Sequence, residues 1–120
     1  AEVGPVSSRP TAERLLSARG ALVSEYPVFD TPRRYYFPKR NRIISGMSRC
    51  CVLIQAPRRS GALITADYAL EQGRDVFVHA SCLQPGAGEG GLAMAEEGAR
   101  LISSVDEVTE GWETQWGAVV

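Results

Sequence analysis

Apolar and polar residues run along the chain in blocks whose period switches between that of helices and that of strands. Pro10 to Arg19 has apolar residues at helical spacing, opens on a proline and precedes Gly20, where a helix C-cap belongs, so it predicts a short helix. Ala21 to Ser24 reads as a buried strand, and Tyr26 to Pro32, with its two prolines, as an extended loop. Arg40 to Ser48 predicts a helix in which Ile43, Ile44 and Met47 share one face and Arg40 and Arg42 lie toward solvent. Cys51 to Gln55 is a nearly continuous apolar run, the pattern of a central parallel strand covered on both faces. After a loop over Ala56 to Gly61, a helical repeat spans Ala62 to Gln72 and stops at Gly73, and Asp75 to Ala80 is the next strand. Strand, helix, strand calls for a right-handed crossover. Gln84 to Gly91 reads as a flexible glycine-rich loop and Leu92 to Glu97 as a short helix. Arg100 to Ile102 reads as an edge strand, and Ser104 to Gly111 as a last helix capped by Ser103 or Ser104. The alternation predicts an α/β domain with a mostly parallel sheet, whose ligands sit beyond the carboxyl ends of the strands, where the loops Ala56 to Gly61 and Ser81 to Gly91 belong.

A chain of 120 residues supports one folding unit with a modest core. Its 44% hydrophobic and 22% charged residues are ordinary for a soluble domain, and no apolar run reaches the roughly 18 residues that cross a bilayer, so no membrane partner is expected. Ala1 to Pro5 lacks the basic start and apolar stretch of a secretory signal, which points to the cytoplasm. Cys50, Cys51 and Cys82 are odd in number and lack C-x-x-C spacing, so they read as buried thiols rather than a disulfide framework or a metal site. The net charge of −1 conceals an uneven distribution. Eight of the 13 basic residues fall between Arg33 and Arg59, a stretch without Asp or Glu, whereas Glu89 to Glu113 holds seven acids and one arginine.

That asymmetry directs attention to Arg33 to Arg42, which interleaves five cations with three aromatics. The cations Arg33, Arg34, Lys39, Arg40 and Arg42 suit the phosphates of a single strand, and the faces of Tyr35, Tyr36 and Phe37 suit unstacked bases. On composition alone the plainer reading is favoured: the aromatics pack beneath a loop, the cations are solvated, and Asn41 and Arg42 tie the loop to the sheet. A second stretch, Arg58-Arg59-Ser60-Gly61, opens a helix after a strand, where free N–H groups and the helix dipole attract an anion. It matches neither G-x-G-x-x-G nor G-x-x-x-x-G-K-[ST], so no dinucleotide or nucleoside triphosphate is inferred, and an ordinary cap by Ser60 fits as well. Thr65 reads as a buried hydroxyl. His79 is the sole histidine and has no sequence-adjacent nucleophile arranged as in a triad, and Glu96, Glu97, Asp106, Glu107 and Glu110 read as solvated faces, so no catalytic residue is expected. Ser81 and Cys82 follow a strand end and read as loop structure more readily than as ligand contacts. Trp112 and Trp116 are expected to pack the C-terminal tail onto the domain or a partner.

Phe37-Pro38-Lys39-Arg40-Asn41-Arg42-Ile43-Ile44-Ser45-Gly46-Met47-Ser48 resembles the F-P-x-R-N-R-I-I-x-G-L-S signature of the DprA/Smf family. Arg59 to Ala66 resembles its R-S-G-S-L-I-T-A, Ala69 to Phe77 its A-L-E-Q-G-R-x-V-F, and Gly98 to Ile102 its G-A-K-L-V, in the same order and spacing. The resemblance implies the C-terminal part of a Rossmann-like domain with helices on both faces of its sheet. It further implies a homodimer that binds single-stranded DNA and helps load a RecA-type recombinase during natural transformation, with no cofactor. Family members use a lysine three residues before the phenylalanine for phosphate, and the phenylalanine for a base; the matching positions are Arg34 and Phe37. The family's G-S-R turn and S-G-x-A-x-G-I-D segment have no counterpart here, and Cys82 to Met94 departs from its S-x-G-x-N-x-L-I. Two alternatives stand beside this one. A nucleotide-binding or phosphoribohydrolase-like enzyme of the lysine-decarboxylase-like Rossmann group would need P-G-G-x-G-T-x-x-E where Arg59 to Thr65 stands, and a fragment serving only as a dimerisation surface would need no site.

Overall fold

The computed structural model describes residues 6–27, 29–86, 88–110 and 112, and the chain divides into two units, residues 1–33 and residues 34–120, taken in turn. In the first, a 3-10 turn over Val6–Ser8 leads into α1, Arg9–Ser17. Pro10 sits in the first turn, where its missing N–H has no intrahelical acceptor to lose. The left-handed residue that ends the helix is Arg19, at φ 62°, rather than the glycine after it. Gly20 is required for closeness: its N–H donates to Leu15 O at 2.8 Å, and a Cβ there would lie 2.7 Å from the same oxygen. The expected strand over 21–24 does not form. Ser24 Oγ accepts the Tyr26 N–H at 3.1 Å, a local bond that competes with strand pairing, and Leu22 and Val23 are exposed.

The second unit is built on three short parallel strands, β1 (Cys50–Leu53), β2 (Asp75–His79) and β3 (Arg100–Ile102), in the order β1-β2-β3. β2 is therefore central among the described residues, and β1, expected to be central, lies at an edge. Cys51 pairs with Val76 and Leu53 with Val78, while Phe77 pairs with Arg100 and His79 with Ile102. Alternation along β2 sends Val76 and Val78 to one face and Phe77 to the other. On the first face α3 (Gly61–Glu71) and α4 (Glu89–Glu96) close a core of Leu53, Ala66, Ala69, Val78 and Met94. Two fully buried alanines bring α3 close to the sheet. On the other face α5 (Val105–Thr109) packs Val108 onto Phe77 and Ile102. Trp112 joins that cluster, and the Arg49 guanidinium stands 4.1 Å from its ring centre, so Trp112 itself packs onto the domain. Trp116 lies outside the described residues.

Helix ends follow the sequence where their chemistry is local. α3 stops at Gly73, φ 68°. At α5, Glu107 accepts the N–H groups of Ser103 at 2.8 Å and Ser104 at 3.1 Å. The Ser103 bond is the main cause that holds its carboxyl below the usual range.

Two expectations fail for a packing reason. The glycine-rich loop ends earlier than expected: Gln84 to Gly86 and Gly88 lie outside helix and strand, but α4 begins at Glu89, so Gly90 and Gly91 are helical. The Gly90 and Gly91 N–H groups both donate to Ala56 O, at 2.8 and 3.2 Å. A Cβ at Gly90 would lie 2.8 Å from that oxygen, and one at Gly91 2.8 Å from Cys82 Sγ. Helix α2 (Tyr36–Gly46) begins four residues earlier than expected and buries a different face. Asn41 and Ser45 are its buried residues, at 8% and 2% exposure, while Ile44 and Met47 are exposed at 47% and 70%. Of the cysteines only Cys82 is buried; Cys50 and Cys51 are half-buried, and desolvation is the leading cause that raises both of their thiol pKa values.

Candidate nucleic-acid interface

α2 lies against α3, and of the two stretches singled out from the sequence the first meets the second there at Gly61 alone. Between the helices runs an open groove of about 400 Å³ lined by Phe37, Pro38, Arg40, Asn41 and Ile44 from α2 and Gly61, Ala62, Ile64 and Thr65 from α3. Asn41 links the two sides. Its Nδ2 donates to Gly61 O at 3.5 Å, and its Oδ1 accepts from Arg40 Nη2 at 3.3 Å. Arg40 Cζ stands 5.8 Å from the centre of the Phe37 ring, and Phe37 is 56% exposed. The aromatic stretch is thus divided: Tyr35 and Tyr36 meet edge-to-face at 4.7 Å, while Phe37 lines the groove.

The electrostatics of the groove arise from what its helices lack. Neither α2 nor α3 has an acid in its first turn or a side-chain cap on its N-terminal amides. First-turn residues of both helices, Phe37 and Pro38 with Gly61 and Ala62, line the same groove. The uncapped first turn of α3 therefore adjoins a groove to which Arg40 adds a full charge, whereas in the first turn of α2 Pro38 has no N–H and the Phe37 N–H is given to Arg34 O at 3.4 Å. The expected cap by Ser60 does not form: its Oγ is buried with no hydrogen-bond partner among the described residues.

The remaining candidates are placed as follows. Arg34 and Lys39 are exposed, in the turn before α2 and in its first turn, and neither lines the groove. Arg42 is half-buried, does not line the groove and gives its carbonyl to Gln72 Nε2 at 2.8 Å. Arg58 and Arg59 line a different groove, between α3 and α4, with Asp67, Glu89 and Glu97. Arg58 Nε is 3.9 Å from Glu89 Oε2 in an exposed pair of little energetic weight. Ile44 and Ile64 supply groove walls that sequence reasoning missed, because an apolar residue on an amphipathic helix carries no local sign that it faces outward.

At the carboxyl ends of the strands the polar groups are engaged within the fold. Ser81 Oγ donates to Ile54 O at 2.6 Å and lies 2.7 Å from His79 Nδ1. The Cys82 thiol lies 3.4 Å from Ile54 O. Together they fasten the Ala80–Leu83 turn to the end of β1. Among the described residues no group of His, Cys, Asp and Glu is arranged to hold a metal, and no helix is long and apolar enough to cross a membrane.

Parallel strands in sequence order, helices on both faces and an interhelical groove define a Rossmann-like α/β domain. The chain belongs to the DNA recombination-mediator protein A family, whose model matches residues 1–113. It is 44% identical over 99 residues to protein Smf of Escherichia coli (strain K12), covering 82% of this chain and 26% of that protein. It is 46% identical over 90 residues to DNA processing protein DprA of Bacillus subtilis (strain 168), covering 74% of this chain and 30% of that protein. The solved structure of DNA processing protein A (DprA) from Streptococcus pneumoniae matches with a TM-score of 0.74 at 33% identity, over 91% of this chain and 38% of that one. The chain spans about a quarter to a third of the length of these curated relatives.

Proposed function

We propose that the groove between α2 and α3 binds single-stranded DNA, and that the chain acts in DNA processing as a recombination mediator without chemistry of its own. The meeting of the uncapped first turn of α3 with Arg40 and the exposed Phe37 ring in one groove carries this reading. Arg34 and Lys39 extend the positive surface along a backbone, and Phe37 offers a base its face. Asn41 holds Arg40 and the first turn of α3 in register. The names of the relatives, DNA processing proteins, accord with a nucleic-acid ligand. Homodimerisation, a RecA-type recombinase partner, a role in natural transformation and a cytoplasmic location belong to the same reading.

The enzymatic alternative finds less support. The first turn of α3, where that enzyme group's glycine-rich phosphate turn would stand, carries no carboxylate.

Fluorescence anisotropy of a labelled oligothymidine, titrated across salt concentrations with a duplex of equal length as control, tests the proposal. The expected result is preferential single-strand binding. Arg34→Ala weakens it and flattens the salt dependence by about 0.7 log unit per log unit of salt. Phe37→Ala weakens it by the roughly 1–3 kcal/mol of one stacked base, with the salt slope retained. Unchanged affinity in a folded Phe37→Ala chain would overturn the placement of the site.

A further inference from the structure

α2 carries one wall of the groove, and its seat on the rest of its unit combines the half-buried Ile43 with polar contacts. Its buried residues are Asn41 and Ser45, while Ile44 and Met47 face outward. Apolar contacts resist sliding and rotation weakly because they have no direction, whereas hydrogen bonds fix both.

The directional grip comes from Gln72, the residue after α3. Gln72 Oε1 accepts from Ser45 Oγ at 2.8 Å, and its Nε2 donates to Arg42 O at 2.8 Å. One amide therefore holds two points on the same side of α2, one helical turn apart. Gln72 is itself anchored: its N–H donates to Tyr68 O at 3.0 Å, and the Arg74 N–H returns to Ala69 O at 2.8 Å. Arg74 adds a third point, donating from Nη2 to Gly46 O at 2.9 Å in the last turn of α2. Gln72 does not line the groove.

We propose that Gln72 is a positioning residue: its side-chain amide sets the rotation of α2 and thereby places Phe37 and Arg40 against the first turn of α3. Its consequence for binding rests on the reading that the groove takes single-stranded DNA.

Gln72→Met keeps length and neutrality while removing both bonds, and Ser45→Ala removes one. The first measurement is hydrogen exchange in the free protein. Both variants speed exchange at the amides of Ile43 to Met47, Gln72→Met the more, with the amides of β2 unchanged. Equal acceleration at every amide, or none in α2, overturns the proposal. The second is a double-mutant cycle read in oligothymidine affinity. Gln72→Met weakens binding by about tenfold on the unsubstituted chain and by a smaller factor on Phe37→Ala, where only Arg40 is left to be misplaced. An equal loss in both backgrounds would mark a general loss of stability and overturn the proposal. If the unsubstituted chain fails to bind oligothymidine, the DNA-binding reading falls, and hydrogen exchange still decides whether Gln72 fixes α2.

Discussion

Gly90 and Gly61 each stand at the start of a helix, but for opposite reasons. A Cβ at Gly90 would lie 2.6 Å from Leu63 Cδ1 and 2.8 Å from the Ala56 carbonyl oxygen, whereas one at Gly61 meets nothing within 4 Å. Neither has the positive φ that only glycine adopts freely. Gly90→Ala is therefore expected to destabilise the fold by about 1–3 kcal/mol through overpacking. Gly61→Ala is expected to stabilise it by about 0.5–1 kcal/mol, as alanine does in helices. Thermal denaturation of the two variants checks the opposite signs. Gly61 opens into the groove, so the same alanine places a methyl where a backbone or base would approach. Arg59, by contrast, holds φ 60° without being a glycine, which stores strain in the turn that leads into α3.

At the scale of elements, periodicity was a good guide where burial is apolar and a poor one where it is not. α3, β2, β3 and α5 emerge close to their expected places because Ala66, Ala69, Val76, Val78, Ile102 and Val108 mark faces that are indeed buried. α2 misleads because its apolar residues Ile44 and Met47 are exposed and its seat is made by the half-buried Ile43 with Asn41, Ser45 and a glutamine 27 residues beyond Ser45. Gly88 to Gly91 misleads because glycine signals both loop freedom and close approach, and only the neighbouring Cys82 and Ala56 decide between them. The candidate site was legible as two separate segments; their meeting across Asn41 and Gly61 is tertiary and has no local signature. The first turn of α2 offers a test at this scale. Lys39 opposes the helix dipole there, and α2 has no acid to balance it. Lys39→Glu is expected to stabilise the helix by about 0.3–1 kcal/mol while weakening oligothymidine binding. A rise in melting temperature accompanied by loss of affinity is the expected pair, and a gain or loss in both would contradict it.

Across the molecule as a whole, the fold spends its cations unevenly. From Thr31 to Ala66 there is no acid, and that stretch builds α2, the groove and the turn into α3, while Asp67, Glu89 and Glu97 collect along the far side of α3 and on α4. A ligand at the α2–α3 groove meets Arg40 and no lining acid, whereas one at the α3–α4 side meets Asp67, Glu89 and Glu97 mixed with Arg58 and Arg59. An isoelectric point near 5.9 thus describes the sum and misdescribes each face. On a chromatographic column the protein is expected to be two-natured. At neutral pH and low salt it should be retained both by an anion exchanger, which sees the acidic side, and by immobilised heparin, a polyanion that imitates a nucleic-acid backbone. Arg34→Ala and Lys39→Glu should elute earlier from heparin and no earlier from the anion exchanger, so that a purification step reports which face a substitution has altered.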